Sequence, residues 1–104
     1  MAKWYSNGLT EASAKDAEKN YAKIENPTYG ITDRAILALQ FTLKYASGGQ
    51  TMWQLSRERD IREILTRTNS TDISELEGVV VEAYVRESLL RGLSVNENLV
   101  RTER

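Results

Sequence analysis

Between Ala35 and Tyr45 the chain alternates without a break. Leu37, Leu39, Phe41, Leu43 and Tyr45 fall on one side, and Ala38, Gln40, Thr42 and Lys44 on the other. Successive Cβ atoms of an extended chain point to opposite faces, so a period of two held this long predicts a half-buried strand. The leucines and Phe41 are expected in a core; the side with Gln40, Thr42 and Lys44 is left for solvent, a ligand or a partner. Ser47-Gly48-Gly49-Gln50 follows and predicts a tight turn. A single strand has no stability of its own, so the remaining elements must supply a sheet and a cover for its apolar face.

Lys23-Ile24-Glu25 reads as a short strand, with Pro27 and Gly30 as punctuation after it. Before it, Thr10 fits the cap of a short helix running to about Asn20. From Arg57 to Thr68 the period changes: Ile61, Ile64, Leu65 and Thr68 share a helical face. Glu58 with Arg62, and Arg59 with Glu63, stand four apart on the opposite side. Asp72-Ile73-Ser74-Glu75 has the form of a capping box, and Gly78 stops the turn it starts. Val79, Val81, Ala83 and Val85 then alternate with Val80, Glu82 and Tyr84, and a second alternation follows from Leu89 to Val95. These two predict a hairpin. The expected fold class is α+β, a small antiparallel sheet of about four strands with one main helix on one face. Residues 1–22 are expected as an amino-terminal polar, helical segment, 23–95 as a single α+β domain, and 96–104 as a flexible polar tail. With one face covered, Val80, Tyr84 and Leu90 are expected on the other, which predicts a homo-oligomer.

A chain of 104 residues supports one domain with a real core. It has no histidine and no cysteine, which removes the usual general base near neutral pH, the commonest metal ligand and any disulfide. No cofactor and no metal are expected. A net charge of −1 gives no footprint for bulk nucleic acid. The longest apolar run, Val79 to Val81, is too short for a membrane span, and Met1 to Gly8 lack a signal-peptide core. A cytoplasmic location is the resulting expectation.

One stretch combines features suited to a ligand. Ser47, Gly48, Gly49 and Gln50 present main-chain N–H groups, Lys44 and Arg57 flank them with positive charge, and Tyr45 and Trp53 offer rings. These eight residues form the candidate ligand-binding set. The plainer readings are a turn after a strand, and a Trp53 that closes the core edge or a subunit contact. Asp33, Asp60 and Glu82 are the acids available for proton transfer, but no diagnostic spacing joins them. They read as surface acids, and no catalytic residue is assigned.

The order Lys23-Ile24-Glu25, Gly30-Ile31-Thr32-Asp33, Gly48-Gly49-Gln50, Ile61-Arg62-Glu63-Ile64-Leu65 and Leu76-Glu77-Gly78 resembles a group of small bacteriophage proteins. In that group a KIE strand leads to a GIxDxxI turn, a GxGQ loop, a helix ending in IL and an LxG step into a last hairpin. The likeness spans about residues 23–95. The chain departs from the group at Arg34, where histidine is frequent, and after Gln50, where Met52 and Trp53 replace further glycines. The resemblance implies a viral accessory protein acting in the host cytoplasm and no particular reaction. Together with the missing catalytic chemistry, it leads to the expectation of an anti-defence binding protein that sequesters a small nucleotide-derived immune signal. The alternatives are direct inhibition of a host defence protein, or a structural or assembly role in the virion.

Overall fold

The longest element is the one the sequence understates. In the computed structural model, which describes residues 3–96, strand β1 runs over Glu18–Ile31 and Lys23-Ile24-Glu25 is only its middle. Ala22 and Ile24 point into the core, while Tyr21, Lys23 and Glu25 take the opposite face. The position between residues 22 and 23, expected to open the domain, lies inside this strand. Helix α1, Glu11–Lys15, is capped as expected by the Thr10 hydroxyl, which accepts the Ser13 amide. It ends at Lys15 rather than near Asn20, because residues 18–23 pair with a later strand. Helix propensity without a continuous apolar stripe loses to ladder pairing here.

β1 serves two partners. Its first half pairs with β4 (Val80–Arg86) and its second half with β2 (Leu37–Tyr45), with a register shift between Glu25 and Thr28. Asn26, in the left-handed region, and Pro27 supply that irregularity and bend the strand. β3 (Gln50–Leu55) adds beyond β2, and β5 (Leu89–Ser94) beyond β4. The result is a five-stranded antiparallel sheet in the order β3-β2-β1-β4-β5. The α+β class stands, with five strands and two helices in place of about four and one. The segment of β3 lacks a clear alternation; it is held by register against β2, with Trp53 opposite Phe41.

The core gathers on one face of the sheet. Ile24, Leu39, Phe41, Leu43, Leu55, Val81 and Leu93 pack with Ile64 of helix α2 (Glu58–Arg67) and with Leu76 of a 3-10 turn, Ile73–Leu76. Leu37, expected with the other leucines, is 49% exposed, since it sits at the far end of the β1–β2 hairpin beyond the reach of α2. On α2, Glu58 pairs with Arg62 at 2.6 Å as expected, but Glu63 takes Arg67 at 2.7 Å instead of Arg59. The capping box also differs. Asp72 makes no side-chain cap, and Glu75 reaches back to the Thr71 hydroxyl at 2.7 Å.

The β4–β5 hairpin turns through Glu87 and Ser88, both in the left-handed region, the pairing that matches strand twist. A register shift at Tyr84/Val85 moves Leu90 to the core side. The outer face of β4 and β5 is not open either: Tyr84 is buried, and Gly92 lies under Ser6 and Leu9. The expected reason for oligomerisation, an apolar face bearing Val80, Tyr84 and Leu90, is thereby replaced by an amino-terminal segment folded onto the sheet. Among the described residues no helix is long and apolar enough to cross a membrane. The expected tail over 96–104 lies, Asn96 apart, outside the described residues.

Candidate functional site

Residues 3–9 are laid along β5 by specific bonds. The Leu93 amide donates to Ser6 Oγ at 2.8 Å, and Ser94 Oγ donates to the Trp4 carbonyl at 2.7 Å. Trp4 turns its ring into the core and donates from Nε1 to Asp60 Oδ1, while the Asn7 amide donates to the other carboxylate oxygen at 3.0 Å. Asp60, read from sequence as a surface acid, is buried and fully engaged because the segment it holds covers it. Asn7 and Gly8 both take positive φ, which turns the segment toward α2. Gly8 is needed twice: its φ is +71°, and a Cβ would meet the Arg57 guanidinium at 3.1 Å.

Between this segment and the first turns of α2 lies a cavity of about 680 Å³. Lys3, Arg57, Arg59 and Arg67 face it, against the carboxylates of Glu11, Asp60 and Glu63, and Tyr5 supplies an aromatic wall. The charges are not equally engaged. Asp60 is held by Trp4 and Asn7, Glu63 pairs with Arg67, and Lys3 pairs with Glu82. Arg57 and Arg59 have no ion-pair partner for their guanidinium groups among the described residues. The volume lies within the usual range for small-molecule sites. Two uncommitted guanidinium groups in such a recess suit an anion with several oxygens, which arginine binds through parallel hydrogen bonds.

Behind the cavity wall sits a buried charge cluster. Glu82 is 2% exposed and accepts from Lys3 Nζ at 2.7 Å and from the Tyr84 hydroxyl at 3.0 Å, with Lys19 at 3.8 Å. Burial opposes its ionisation, but the bonds from Lys3 and Tyr84 and the charges of Lys3 and Lys19 prevail and hold its pKa below the usual carboxylate value. Burial likewise opposes the Lys3 cation, and the Glu82 and Tyr84 bonds overcome it, so its pKa is raised. Tyr84 is raised by burial and by its carboxylate neighbour. Lys3 also lies over the Tyr5 and Tyr84 rings, which meet edge to face at 5.4 Å. Like Asp60, Glu82 is therefore an interior anchor, contrary to the surface reading. Its pattern position on the outward side of β4 concealed this, because the cover comes from residues 3–9.

The eight residues of the candidate set do not form one site. Tyr45, Ser47 and Gln50 line a second, smaller recess of about 370 Å³ with Asn20, Thr51, Val85, Ser88 and Leu90. Burial raises the Tyr45 pKa there. Gly48 and Gly49 take positive φ in the β2–β3 turn, and the Gly48 amide is spent on the Tyr45 carbonyl at 3.0 Å. Lys44 is exposed at the end of β2. Trp53 packs against the core, its Nε1 buried and without a hydrogen-bond partner among the described residues. Arg57 stands past the other end of β3, six residues of strand from the turn, a span of roughly 17 Å at the usual rise per residue. It joins Arg59, a flanking charge outside the candidate set, and Tyr5 and Gly8, to which the sequence assigns no role. The available signal was the Trp4-Tyr5 pair in an otherwise polar stretch.

Among the described residues no group of three or more acidic side chains is placed to hold a metal ion. No protein-family model matches the chain, and neither a curated protein nor a solved structure matches it at a significant level.

Proposed function

We propose that this chain is a binding protein whose arginine-lined cavity takes a small phosphate-bearing molecule. The observation that carries this reading is the pair Arg57 and Arg59, facing a cavity of about 680 Å³ with no carboxylate committed to either among the described residues. Phosphate oxygens would meet the two guanidinium groups, and a base or sugar would lie against Tyr5. Gly8 keeps the Arg57 guanidinium close to the main chain, so less side-chain freedom is lost on binding. In the viral setting that the phage resemblance implies, the ligand class is a nucleotide-derived signal and the role is sequestration in the host. No catalytic residue is assigned.

Calorimetric titration with ADP and with pyrophosphate tests the reading. Saturable binding that falls about tenfold or more in Arg57→Ala and in Arg59→Ala is expected. Absence of binding by the wild-type chain, or binding indifferent to both substitutions, contradicts it.

A second reading, blockade of a protein partner, rests on a different observation. The tip of the β1–β2 hairpin exposes Tyr29, Ile31, Ile36 and Leu37, with Ile31 at 74%. Apolar groups gathered this way suit a protein contact. Ile31→Asp with Leu37→Asp would abolish such a role while leaving ADP affinity unchanged; a loss of ADP affinity would tie the tip to the cavity instead.

A further inference from the structure

Three long stretches of strand edge among the described residues are treated differently. β5 is covered by residues 3–9, with Ser6 and Trp4 bonded to its main and side chains. The second half of β1, beyond the strand it shares with β4, carries Pro27 and the register shift, both of which discourage pairing. β3 has neither device. Its sequence, Gln50-Thr51-Met52-Trp53-Gln54-Leu55, has no charge, no proline and no bulge, and Met52 is 71% exposed. Natural proteins seldom leave such an edge open to water.

The ladder fixes which groups face outward. The Tyr45 amide donates to the Gly49 carbonyl at 3.0 Å, so alternation makes Thr51, Trp53 and Leu55 the residues bonded to β2. Gln50, Met52 and Gln54 then direct their main-chain N–H and C=O groups away from the sheet. We propose that β3 pairs antiparallel with β3 of a second copy about a two-fold axis through Met52, forming a continuous ten-stranded sheet.

A two-fold axis perpendicular to the sheet keeps each face with its like. It permits registers centred on Thr51, Met52 or Trp53. Centring on Met52 sets Met52 against Met52 and Gln50 against Gln54, and it satisfies every outward group of the three residues. Centring on Thr51 leaves Gln54, and centring on Trp53 leaves Gln50, without a partner inside the strand. The side chains agree with the register centred on Met52, since the one exposed apolar residue meets its own copy between two glutamine pairs. Nothing charged lies on β3, so no like charges meet across the axis. The interface is distinct from the arginine cavity, which lies at the amino-terminal segment and α2.

Sedimentation and disulfide trapping test the pairing. Wild-type protein at micromolar concentrations should sediment with the mass of two chains. Met52→Lys, which brings two like charges together at the axis, should sediment as one chain with an unchanged circular-dichroism spectrum. The chain has no cysteine, so Met52→Cys is a clean probe. Opposed Cα atoms at about 5.5 Å lie within disulfide reach, and oxidation should link two chains. Gln54→Cys alone should stay unlinked, because it faces Gln50 of the other copy. A wild-type monomer overturns the proposal, as does a dimer that survives Met52→Lys. Linking of Gln54→Cys but not Met52→Cys overturns the register, and this trapping test stands even where the lysine variant fails to fold.

Discussion

The indole Nε1 of Trp4 donates to Asp60 Oδ1 at 3.2 Å, joining the amino-terminal segment to the first turn of α2 across fifty-six positions of sequence. The same carboxylate accepts the Asn7 amide, so one buried acid fixes both the ring and the backbone that form the cavity wall. Asp60→Ala leaves the buried Trp4 indole and the part-buried Asn7 amide unmatched. A loss of about 2–4 kcal/mol is expected in urea melts, and Asp60→Asn, which retains one acceptor, should lose less. Equal stability of Asp60→Ala and wild type would show that the segment is not held this way.

Glu82 makes the fold sensitive to acid. Its pKa is lowered in the folded chain, so the native state binds fewer protons than the unfolded one as pH falls below the usual value of 4.5. The stability it contributes is complete above that value and is lost as pH drops through the folded pKa. Lys3 acts in the opposite direction: its raised pKa means that its contribution is lost only in strong alkali. Unfolding free energy measured from pH 6 downward should fall more steeply for wild type than for Glu82→Gln. Parallel slopes would mean that the carboxylate is unperturbed.

Trp53 and Phe41 face each other across β3 and β2, yet they should respond differently to substitution. Phe41 is buried in the core, and Phe41→Ala should cost about 3–5 kcal/mol. Trp53 carries a buried N–H without a partner among the described residues, so Trp53→Phe removes an unmet donor along with some contact area. A net change within about 1 kcal/mol is expected in the same melts. A larger loss would show that packing of the indole outweighs its orphan donor.

Gly8 links conformation to the cavity. In Gly8→Ala the methyl group meets the Arg57 guanidinium, and the positive φ adds strain. The variant should lose about 1 kcal/mol of stability and bind ADP more weakly than wild type. Unchanged affinity would mean that Arg57 does not need its place over Gly8.

What the sequence disclosed followed from periodicity, and what it hid came from long-range contact. The alternation from Leu39 to Tyr45 and the helical stripe of Ile61, Ile64 and Leu65 depend on local geometry, and both elements lie where those patterns put them. β1 and β3 were hard to read because their strand character depends on partners distant in sequence. Glu82 and Asp60 read as surface acids because nothing local shows that residues 3–9 will fold over them. The sequence sets the charge of Arg57 near a glycine turn; the length of β3 carries it to the other end of that strand, beside Arg59 and Gly8. The two halves of the candidate set were neighbours in sequence without being neighbours in space.

A nitrogen-15 correlation spectrum recorded during a pyrophosphate titration distinguishes those two places directly. The side-chain Nε–H signals of Arg57 and Arg59 report the cavity, and the amides of Gly48 and Gly49 report the turn. Saturable shifts of the two arginine signals, with the glycine amides unmoved, are the expected result. Shifts confined to Gly48 and Gly49, or no saturable shift at all, would contradict an anion site between the amino-terminal segment and α2.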